Sequence, residues 1–254
     1  MKIACIQHDI VWEDKAANFE RLAPMIAGAA ASGARVVLLT ETFSTGFSMQ
    51  TERTAESPGG PSSEFLLDQA TRHGIWVGGS YPEITEDSHE QRPFNTFALA
   101  GPSGSLTKYR KVHPFSYGKE HEHFSAGDTL CTVEIDGLRV ALFVCYDLRF
   151  ADEFWQLGPE VDAYFVVANW PAARRLHWQS LLQARAIENQ AYVVACNRVG
   201  SGGKLDYAGD SRIIDPLGEL LATGAGGETV IAADVDPEVV AQVRGRFPFL
   251  QDRR

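Results

Sequence analysis

The chain has 254 residues, of which 44% are hydrophobic and 22% are charged. This is the composition of a folded globular protein, so intrinsic disorder is excluded. The 23 basic and 33 acidic residues give a formal charge of −10. That balance argues against a nucleic-acid or membrane-surface partner, because phosphate groups are bound by a surplus of positive charge.

The sequence carries no sign of export or of membrane insertion. No apolar run approaches the roughly 20 residues that span a bilayer, and the first residues turn polar too early for a signal peptide. Four cysteines, at positions 5, 131, 145 and 196, are too few and too widely spaced for a disulfide scaffold. We therefore expect a cytoplasmic protein in which one or two thiols at most have a special role.

Short apolar runs alternate with helix-like segments along most of the chain. The runs predict strands over Lys2–Gln7, Val36–Leu39, Trp76–Ser80, Phe94–Ala100, Leu106–Arg110, Leu138–Cys145, Ala163–Ala168 and Tyr192–Asn197. Helical spacing of apolar residues predicts helices over Asn18–Ser32, Ser62–His73 and Leu176–Asn189. Antiparallel strands are expected later in the chain, over Ser211–Ile214, Leu220–Ala222 and Thr229–Val235. This β-α-β order predicts one α/β layered domain over residues 1–254.

Several common catalytic signatures are missing from the sequence. It has no G-x-S-x-G elbow, Walker A loop, G-x-G-x-x-G strand turn or H-E-x-x-H helix. Their absence argues against the common serine hydrolases, P-loop enzymes and Rossmann oxidoreductases. Chemistry based on a cysteine or on a metal is left.

Three reactive side chains stand where predicted strands end. Cys145 ends the run 140–144, Glu41 follows the run 36–40, and Lys111 follows the strand Leu106–Arg110. Each alone is explained by packing or by a surface charge, but the carboxyl edges of strands are where α/β folds collect catalytic groups. A helix beginning at Cys145 would also favour its thiolate.

The same segments resemble the nitrilase superfamily of carbon–nitrogen hydrolases, whose hallmark is a Glu–Lys–Cys triad. Segment 38–43 (LLTETF) resembles the glutamate motif, 109–113 (YRKVH) the lysine motif and 145–150 (CYDLRF) the cysteine motif. The spacings of 70 and 34 residues also fit, and the resemblance covers nearly the whole chain. Thr40 stands where the family usually has proline, so the turn before Glu41 is expected to differ slightly.

The resemblance implies a four-layer α-β-β-α sandwich of the nitrilase type, assembled as a homodimer or larger homo-oligomer. It also implies acyl transfer through a covalent thioester. Cys145 would be the nucleophile and Glu41 the proton-transfer group, while Lys111 and the backbone N–H of Tyr146 would hold the oxyanion. The expected partner is a small-molecule amide, and we expect no cofactor and no metal.

A second glutamate often follows the lysine in this family. Glu120, nine residues after Lys111, fits that position and would orient the lysine or the substrate nitrogen. An alternative takes Glu120 with His113, His121 and His123 as ligands of a metal-dependent hydrolase. We favour the first interpretation because no fourth ligand stands at a diagnostic spacing; a solvated loop without a catalytic role is the third.

Segments 145–150, 169–171 and 177–179 resemble the ω-amidase branch, which hydrolyses 2-oxoglutaramate. An ω-amide of a dicarboxylic acid carries a free carboxylate, which needs a cationic partner when buried. Arg174 and Arg175, in a loop near the expected pocket mouth, are predicted to bind it. Arg149 is predicted to form a structural ion pair with Glu188. The apolar walls that limit acyl size are assigned to Trp170, Phe43 and Phe115.

The sequence therefore predicts an amidase that hydrolyses the ω-amide of a small 2-oxo dicarboxylic acid monoamide to the acid and ammonia. The alternative is an aliphatic amidase or a nitrilase of other specificity, because thiolate addition to a nitrile gives a thioimidate at the same triad. A metal-dependent hydrolase and a non-catalytic binding protein are less favoured.

Overall fold

The computed structural model describes residues 1–86 and 92–253. Its first six-stranded sheet has the order β14-β1-β2-β3-β4-β5. These strands are β1 (Lys2–Gln7), β2 (Val36–Leu38), β3 (Trp76–Glu83), β4 (Phe94–Ala100), β5 (Leu106–Arg110) and β14 (Thr229–Asp234). Strands β1, β2 and β3 are parallel, whereas β4, β5 and β14 pair antiparallel with their neighbours.

The second six-stranded sheet has the order β13-β12-β9-β8-β7-β6. Its strands are β6 (Thr132–Ile135), β7 (Leu138–Val144), β8 (Ala163–Ala168), β9 (Tyr192–Asn197), β12 (Arg212–Ile214) and β13 (Leu220–Thr223). Here β7, β8 and β9 are parallel and form the centre. A separate hairpin follows β9 and consists of β10 (Val199–Gly202) and β11 (Leu205–Ala208).

The helices are α1 (Lys15–Ala31), α2 (Thr51–Thr54), α3 (Pro61–His73), α4 (Glu120–His123), α5 (Ala151–Leu157), α6 (Arg175–Asn189) and α7 (Pro237–Arg246). Helix α1 is capped by Asp14, whose side chain accepts from Ala17 N. Helix α3 begins at Pro61 and stops at Gly74, whose φ of +66° lies in the left-handed region. Within the described ranges, no helix is long and apolar enough to cross a membrane.

Alternating side chains of β1 divide between two apolar cores. Ile3 and Cys5 join the cluster that lies between the sheets, whereas Ala4 and Ile6 pack with residues of α1 and α3. Helices α5 and α6 contribute apolar side chains to this same cluster, which therefore extends over both faces of the second sheet. The order of layers is helices, sheet, sheet, helices, so the predicted four-layer α-β-β-α sandwich is confirmed.

The predicted strands and helices are confirmed with ends that differ by a few residues. The sequence did not predict β6, the hairpin β10–β11 or the helices α2, α4, α5 and α7. These elements are short, and β6 and the glycine-rich β10 expose much of their surface, so neither presents an apolar run. The strand predicted over Leu138–Cys145 ends at Val144, and Cys145 begins a 3₁₀ helix that extends to Arg149.

Candidate active site

Four strand ends meet at one cleft. Glu41 follows β2 and Lys111 follows β5 in the first sheet. Cys145 follows β7 and Asn169 follows β8 in the second sheet. All four side chains line the same cleft, which therefore lies at the seam between the two sheets. The structure thus brings together the three residues of the predicted triad.

The ammonium group of Lys111 is buried between two acids. Its Nζ lies 2.9 Å from Glu41 Oε1 and 2.8 Å from Glu120 Oε2. Burial alone would lower the pKa of Lys111, but the carboxylates of Glu120 and Glu41 outweigh burial and raise that pKa above its ordinary range. Lys111 is therefore a fixed positive charge at the base of the cleft.

Glu120 is fully buried on the far side of the ammonium. Its Oε2 also accepts a hydrogen bond from Phe115 N, which ties it to the loop after the lysine. Burial raises the pKa of Glu120, and Lys111 acts in the opposite direction. Asn95 Nδ2 donates to Oε1 of Glu120 at 3.2 Å and to Oε1 of Glu41 at 2.9 Å, so one amide links both acids.

The carboxylate of Glu41 is held in place from both sheets. Oε1 accepts from Lys111 and Asn95, and Oε2 accepts from the backbone N of Asn169 at 2.7 Å. The Asn169 side-chain amide also donates to the backbone carbonyl of Glu41 at 2.8 Å. The thiol of Cys145 is the other hydrogen-bonding neighbour of this carboxylate. A buried, oriented carboxylate in contact with a thiol can take up the thiol proton.

Cys145 lies in the left-handed region with φ +46°, a backbone conformation that costs energy for a non-glycine residue. Burial and the Glu41 carboxylate raise the pKa of the Cys145 thiol well above its usual range, while Lys111 acts in the opposite direction. The resting group is therefore a thiol. This corrects the expected thiolate: the turn here is a five-residue 3₁₀ helix, and burial dominates.

Asp147 joins the cysteine turn to the lysine segment. Its Oδ2 accepts from Val144 N at 2.9 Å and from the Tyr109 hydroxyl at 2.8 Å. Its Oδ1 accepts from His113 N at 3.0 Å. This aspartate stands inside the cysteine motif, two residues after Cys145, but no role could be predicted for it from the sequence.

Most of the predicted wall residues line the cleft, whose volume including its open mouth is about 410 Å³. The predicted wall residues among them are Phe115 and Trp170, and Tyr146, predicted to hold the oxyanion through its backbone N–H, also lines the cleft. The structure adds three that the sequence did not reveal, Phe47, Leu205 and Tyr207. Tyr207 belongs to the hairpin β10–β11, and burial raises its pKa to about 12. Nothing in the sequence predicts that this hairpin reaches the cleft.

Phe43 does not line the cleft, contrary to the prediction. Its ring packs with the rings of Phe19 and Phe65, with centroids 6.1 Å from each, in the core between the first sheet and its helices. The reason is the turn after Glu41, in which Thr42 has φ +40° and redirects the chain. The side chain of Glu41 therefore lies in the cleft, whereas that of Phe43, two residues later, lies between the first sheet and its helices.

Two arginines face the cleft, but only one was predicted. Arg174 lines it with its guanidinium 5.3 Å from the ring centroid of Phe115. Arg149 also lines it, 4.8 Å from the ring centroid of Trp170. Within the described ranges, neither guanidinium has a carboxylate within ion-pair distance. Arg149 Nη2 lies 3.2 Å from His177 Nδ1, and both guanidinium groups keep further N–H donors for an anionic ligand.

The remaining arginine predictions are not supported by the observed contacts. Arg175 lies outside the cleft and forms a two-point ion pair with Asp210, with Nη2 at 2.8 Å from Oδ1. Glu188 pairs with Arg185 at 2.8 Å and not with Arg149. Arg185 occupies that position because it lies on the same face of α6, three residues before the glutamate.

The alternative metal site does not assemble. In the parts of the chain that the structure describes, no group of three or more histidine, cysteine, aspartate or glutamate side chains is arranged to hold a metal ion. His113 stacks on Phe150, and Glu120 binds Lys111. His121 is exposed on the short helix α4. His113 and Glu120 are thus engaged in other contacts, and His121 faces solvent.

Comparison with known proteins agrees with this geometry. A family model described as carbon-nitrogen hydrolase matches residues 2–245. The chain is 39% identical to omega-amidase YafV of Escherichia coli K12, covering 99% of this chain and 96% of that protein. It is 34% identical to the 2-oxoglutaramate amidase of Bacillus subtilis, covering 99% and 97%.

Among solved structures, XC1258 of Xanthomonas campestris superposes with a TM-score of 0.94 at 36% identity, covering 100% of this chain and 97% of that one. It is a CN-hydrolase superfamily protein solved with an arsenic adduct in its active site. The resemblance found in the sequence is thereby confirmed over the full length of the fold. The chain belongs to the carbon–nitrogen hydrolase family.

Proposed function

We propose that the protein is an ω-amidase that hydrolyses the terminal amide of a small dicarboxylic acid monoamide, such as 2-oxoglutaramate, to the acid and ammonia. One arrangement carries the proposal: a thiol, a carboxylate and an ammonium lie at the base of a cleft whose walls present Arg149 and Arg174. The names of the relatives, omega-amidase and 2-oxoglutaramate amidase, support the same substrate class.

The reaction begins when Cys145 Sγ attacks the amide carbonyl while Glu41 accepts the thiol proton. The raised pKa of Cys145 fits a proton transfer that accompanies attack, in place of a stored thiolate. The negative charge that develops on the carbonyl oxygen is stabilised by the Lys111 ammonium and by the backbone N–H of Tyr146. A preorganised donor of this kind is worth about 3–4 kcal/mol of the barrier.

The tetrahedral intermediate collapses when the C–N bond breaks. Glu41 returns its proton to the departing nitrogen, so ammonia leaves and the acyl group stays on sulfur as a thioester. A water molecule then attacks the thioester while Glu41 accepts a proton from it, and the C–S bond breaks as the sulfur regains a proton. Glu120 keeps Lys111 in position through both halves of the reaction.

The substrate carboxylate is assigned to Arg149 and Arg174. A guanidinium binds a carboxylate through two parallel N–H donors, which fixes the orientation of the bound acid. Trp170 and Phe115 lie against these guanidinium groups and support them by cation–π contact. With Tyr146 they also restrict the acyl chain to a small one.

The proposal is tested by ammonia release from 2-oxoglutaramate, 2-oxosuccinamate, glutamine, a neutral amide of equal length and a short aliphatic nitrile. We expect the highest kcat/KM with a 2-oxo dicarboxylic monoamide and a lower value with the neutral amide. Equal or better turnover of the neutral amide would identify an aliphatic amidase. Preference for the nitrile, with acid and ammonia as products, would identify a nitrilase.

We also propose that residues 1–254 form one domain, which acts in the cytoplasm as a homodimer or larger homo-oligomer without a cofactor. One apolar cluster draws side chains from both sheets, which supports a single folding unit. The family resemblance supports self-association. Sedimentation velocity of the purified protein tests the assembly, and a single monomeric species at micromolar concentration would contradict it.

A further inference from the structure

The imidazole ring of His113 lies between two carboxylates. Its Nδ1 is 3.2 Å from Asp147 Oδ1, and its Nε2 is 3.2 Å from Glu153 Oε1 in helix α5. The ring stacks on Phe150, with centroids 3.7 Å apart and planes 12° from parallel. Three contacts therefore fix the ring in one place and one orientation.

This ring connects the two chain segments that carry the reacting groups. His113 stands two residues after Lys111. Its partner Asp147 belongs to the turn that begins at Cys145, and also binds the backbone N of Val144, the residue before the cysteine. A change in the contact between His113 and Asp147 therefore changes how the ammonium and the thiol are held relative to each other.

The contact with Asp147 is a hydrogen bond, whereas the contact with Glu153 is an ion pair, and both are favourable together only when the ring is charged. A neutral imidazole has one N–H, so the lone pair of its other nitrogen faces a carboxylate and is repelled. The ionisable groups that act on the ring are Asp147, Glu153 and Lys111, and Tyr109 reaches it through Asp147. Burial lowers the pKa of His113, but Asp147 and Glu153 outweigh burial and Lys111, so the pKa is raised above 6.5.

We propose that His113 is a positioning residue for the amide hydrolysis. As an imidazolium ion that bridges Asp147 and Glu153, it holds the segment of Lys111 against the turn of Cys145, and kcat falls when the ring loses its proton. The inference rests on the proposed function, because it concerns the rate of that reaction. It adds a group that touches neither the substrate nor the reacting atoms.

The experiment compares the wild type with His113→Gln, Glu153→Gln and the control His73→Gln, whose histidine lies at the end of α3. The parameters kcat and KM for 2-oxoglutaramate are measured between about pH 5 and about pH 8. Titration of the His113 ring is followed by NMR in the wild type and in Glu153→Gln. Thermal melts establish that each variant is folded.

In the wild type we expect kcat to fall as pH rises through the pKa of His113, with KM little changed. Glu153→Gln should move both this fall in kcat and the NMR titration to lower pH, because one carboxylate is lost. His113→Gln should lose the fall and show a kcat about 10-fold lower at acidic pH, since misplaced catalytic groups react slowly. His73→Gln should match the wild type.

The inference is overturned if Glu153→Gln leaves both the pH profile and the ring titration where they are in the wild type. It is also overturned if a folded His113→Gln keeps the wild-type kcat and profile. Failure of the proposed function is a different result: a wild type that releases no ammonia from any amide at any pH. In that case the NMR titration still decides whether the ring bridges two carboxylates.

Discussion

Lys111 Nζ lies 2.9 Å from Glu41 Oε1, although 70 residues separate the two along the chain. They follow different strands of the first sheet, β2 and β5, which are not neighbours. The ion pair is buried, and its carboxylate also contacts the thiol of Cys145. The proposed proton acceptor and the proposed oxyanion stabiliser thus form one ion pair, so a change at either should affect both.

Replacing the acceptor should stop proton transfer without disturbing the fold. In Glu41→Gln the amide can still accept from Lys111 and from Asn169 N, but it cannot take a proton. We expect kcat for ammonia release to fall by about 10²–10⁴-fold, the usual loss for a general base. Glu64→Gln, an exposed change on α3, is the matched control. Turnover of Glu41→Gln near the wild-type value would contradict the assignment.

The covalent mechanism predicts that one thiol is essential. Cys145→Ala should lower kcat by about 10⁴-fold or more, because no other nucleophile can form the thioester. Cys131→Ala is the control, since Cys131 is a partly buried cysteine outside the cleft. Mass spectrometry of the quenched wild type should find the acyl adduct on Cys145. Substantial activity in folded Cys145→Ala would exclude the mechanism.

The arginines of the cleft should make kcat/KM depend on the charge of the substrate. Arg149→Met and Arg174→Met should each lower kcat/KM for an acidic ω-amide by about 10-fold, given about 1.5–3 kcal/mol for a charged hydrogen bond. A neutral amide of equal length should be affected much less. Arg175→Met is the control, because its partner is Asp210. Equal losses of kcat/KM on both substrates would mean that the arginines only maintain the shape of the cleft.

The positions of Glu41 and Cys145 at strand ends could be predicted from the sequence alone. The apolar runs mark the strands because buried parallel strands must be apolar on both faces. Reactive residues directly after those runs could therefore be placed at the sheet edge, and Glu41, Lys111 and Cys145 meet there. The cysteine segment could be found for this reason, whereas Lys111 follows the antiparallel edge strand β5 and was found through its motif.

Side-chain direction within a turn could not be predicted in the same way. Arg174 and Arg175 are adjacent, but α6 begins at Arg175, and successive helical residues point about 100° apart. One arginine therefore enters the cleft and the other reaches Asp210. Asn95 was missed because it lies, beside Thr96, in the otherwise apolar strand β4, and only its bonds across the site reveal its role.

Protonation of a buried histidine should destabilise the protein in acid. Burial lowers the pKa of His8 from 6.5 to about 4. The neutral ring is favoured in the folded state, so this stability is present above pH 6.5 and is lost as pH falls towards 4. The difference corresponds to about 3 kcal/mol of unfolding free energy.

Urea unfolding at neutral pH and at about pH 4 should show this loss in the wild type. In His8→Leu, which cannot titrate, the loss should be smaller by about 3 kcal/mol. His121→Gln removes an exposed histidine and should follow the wild type at both values. A His8→Leu curve parallel to the wild type would contradict the prediction.

The threonine before Glu41 should be replaceable with a gain in stability. Thr40 is fully buried, and its hydroxyl has no hydrogen-bond partner among the described residues. Thr40→Val exchanges this hydroxyl for a methyl group of similar shape, which should stabilise the fold by about 1 kcal/mol. That gain corresponds to a rise in Tm of roughly 2–4 °C. A lower Tm would indicate that the hydroxyl is paired in solution.

Because the cleft lies at the seam between the two sheets, the rate of catalysis should depend on how the sheets are stacked. Glu41, the proposed proton acceptor, follows a strand of one sheet, and Cys145, the proposed nucleophile, follows a strand of the other. The hydrogen bond from Asn169 N to Glu41 crosses between the sheets. A small slip of one sheet over the other would separate the two groups before any strand unpaired. On gentle heating or in dilute denaturant, ammonia release should therefore fade while the circular dichroism of the strands is still intact.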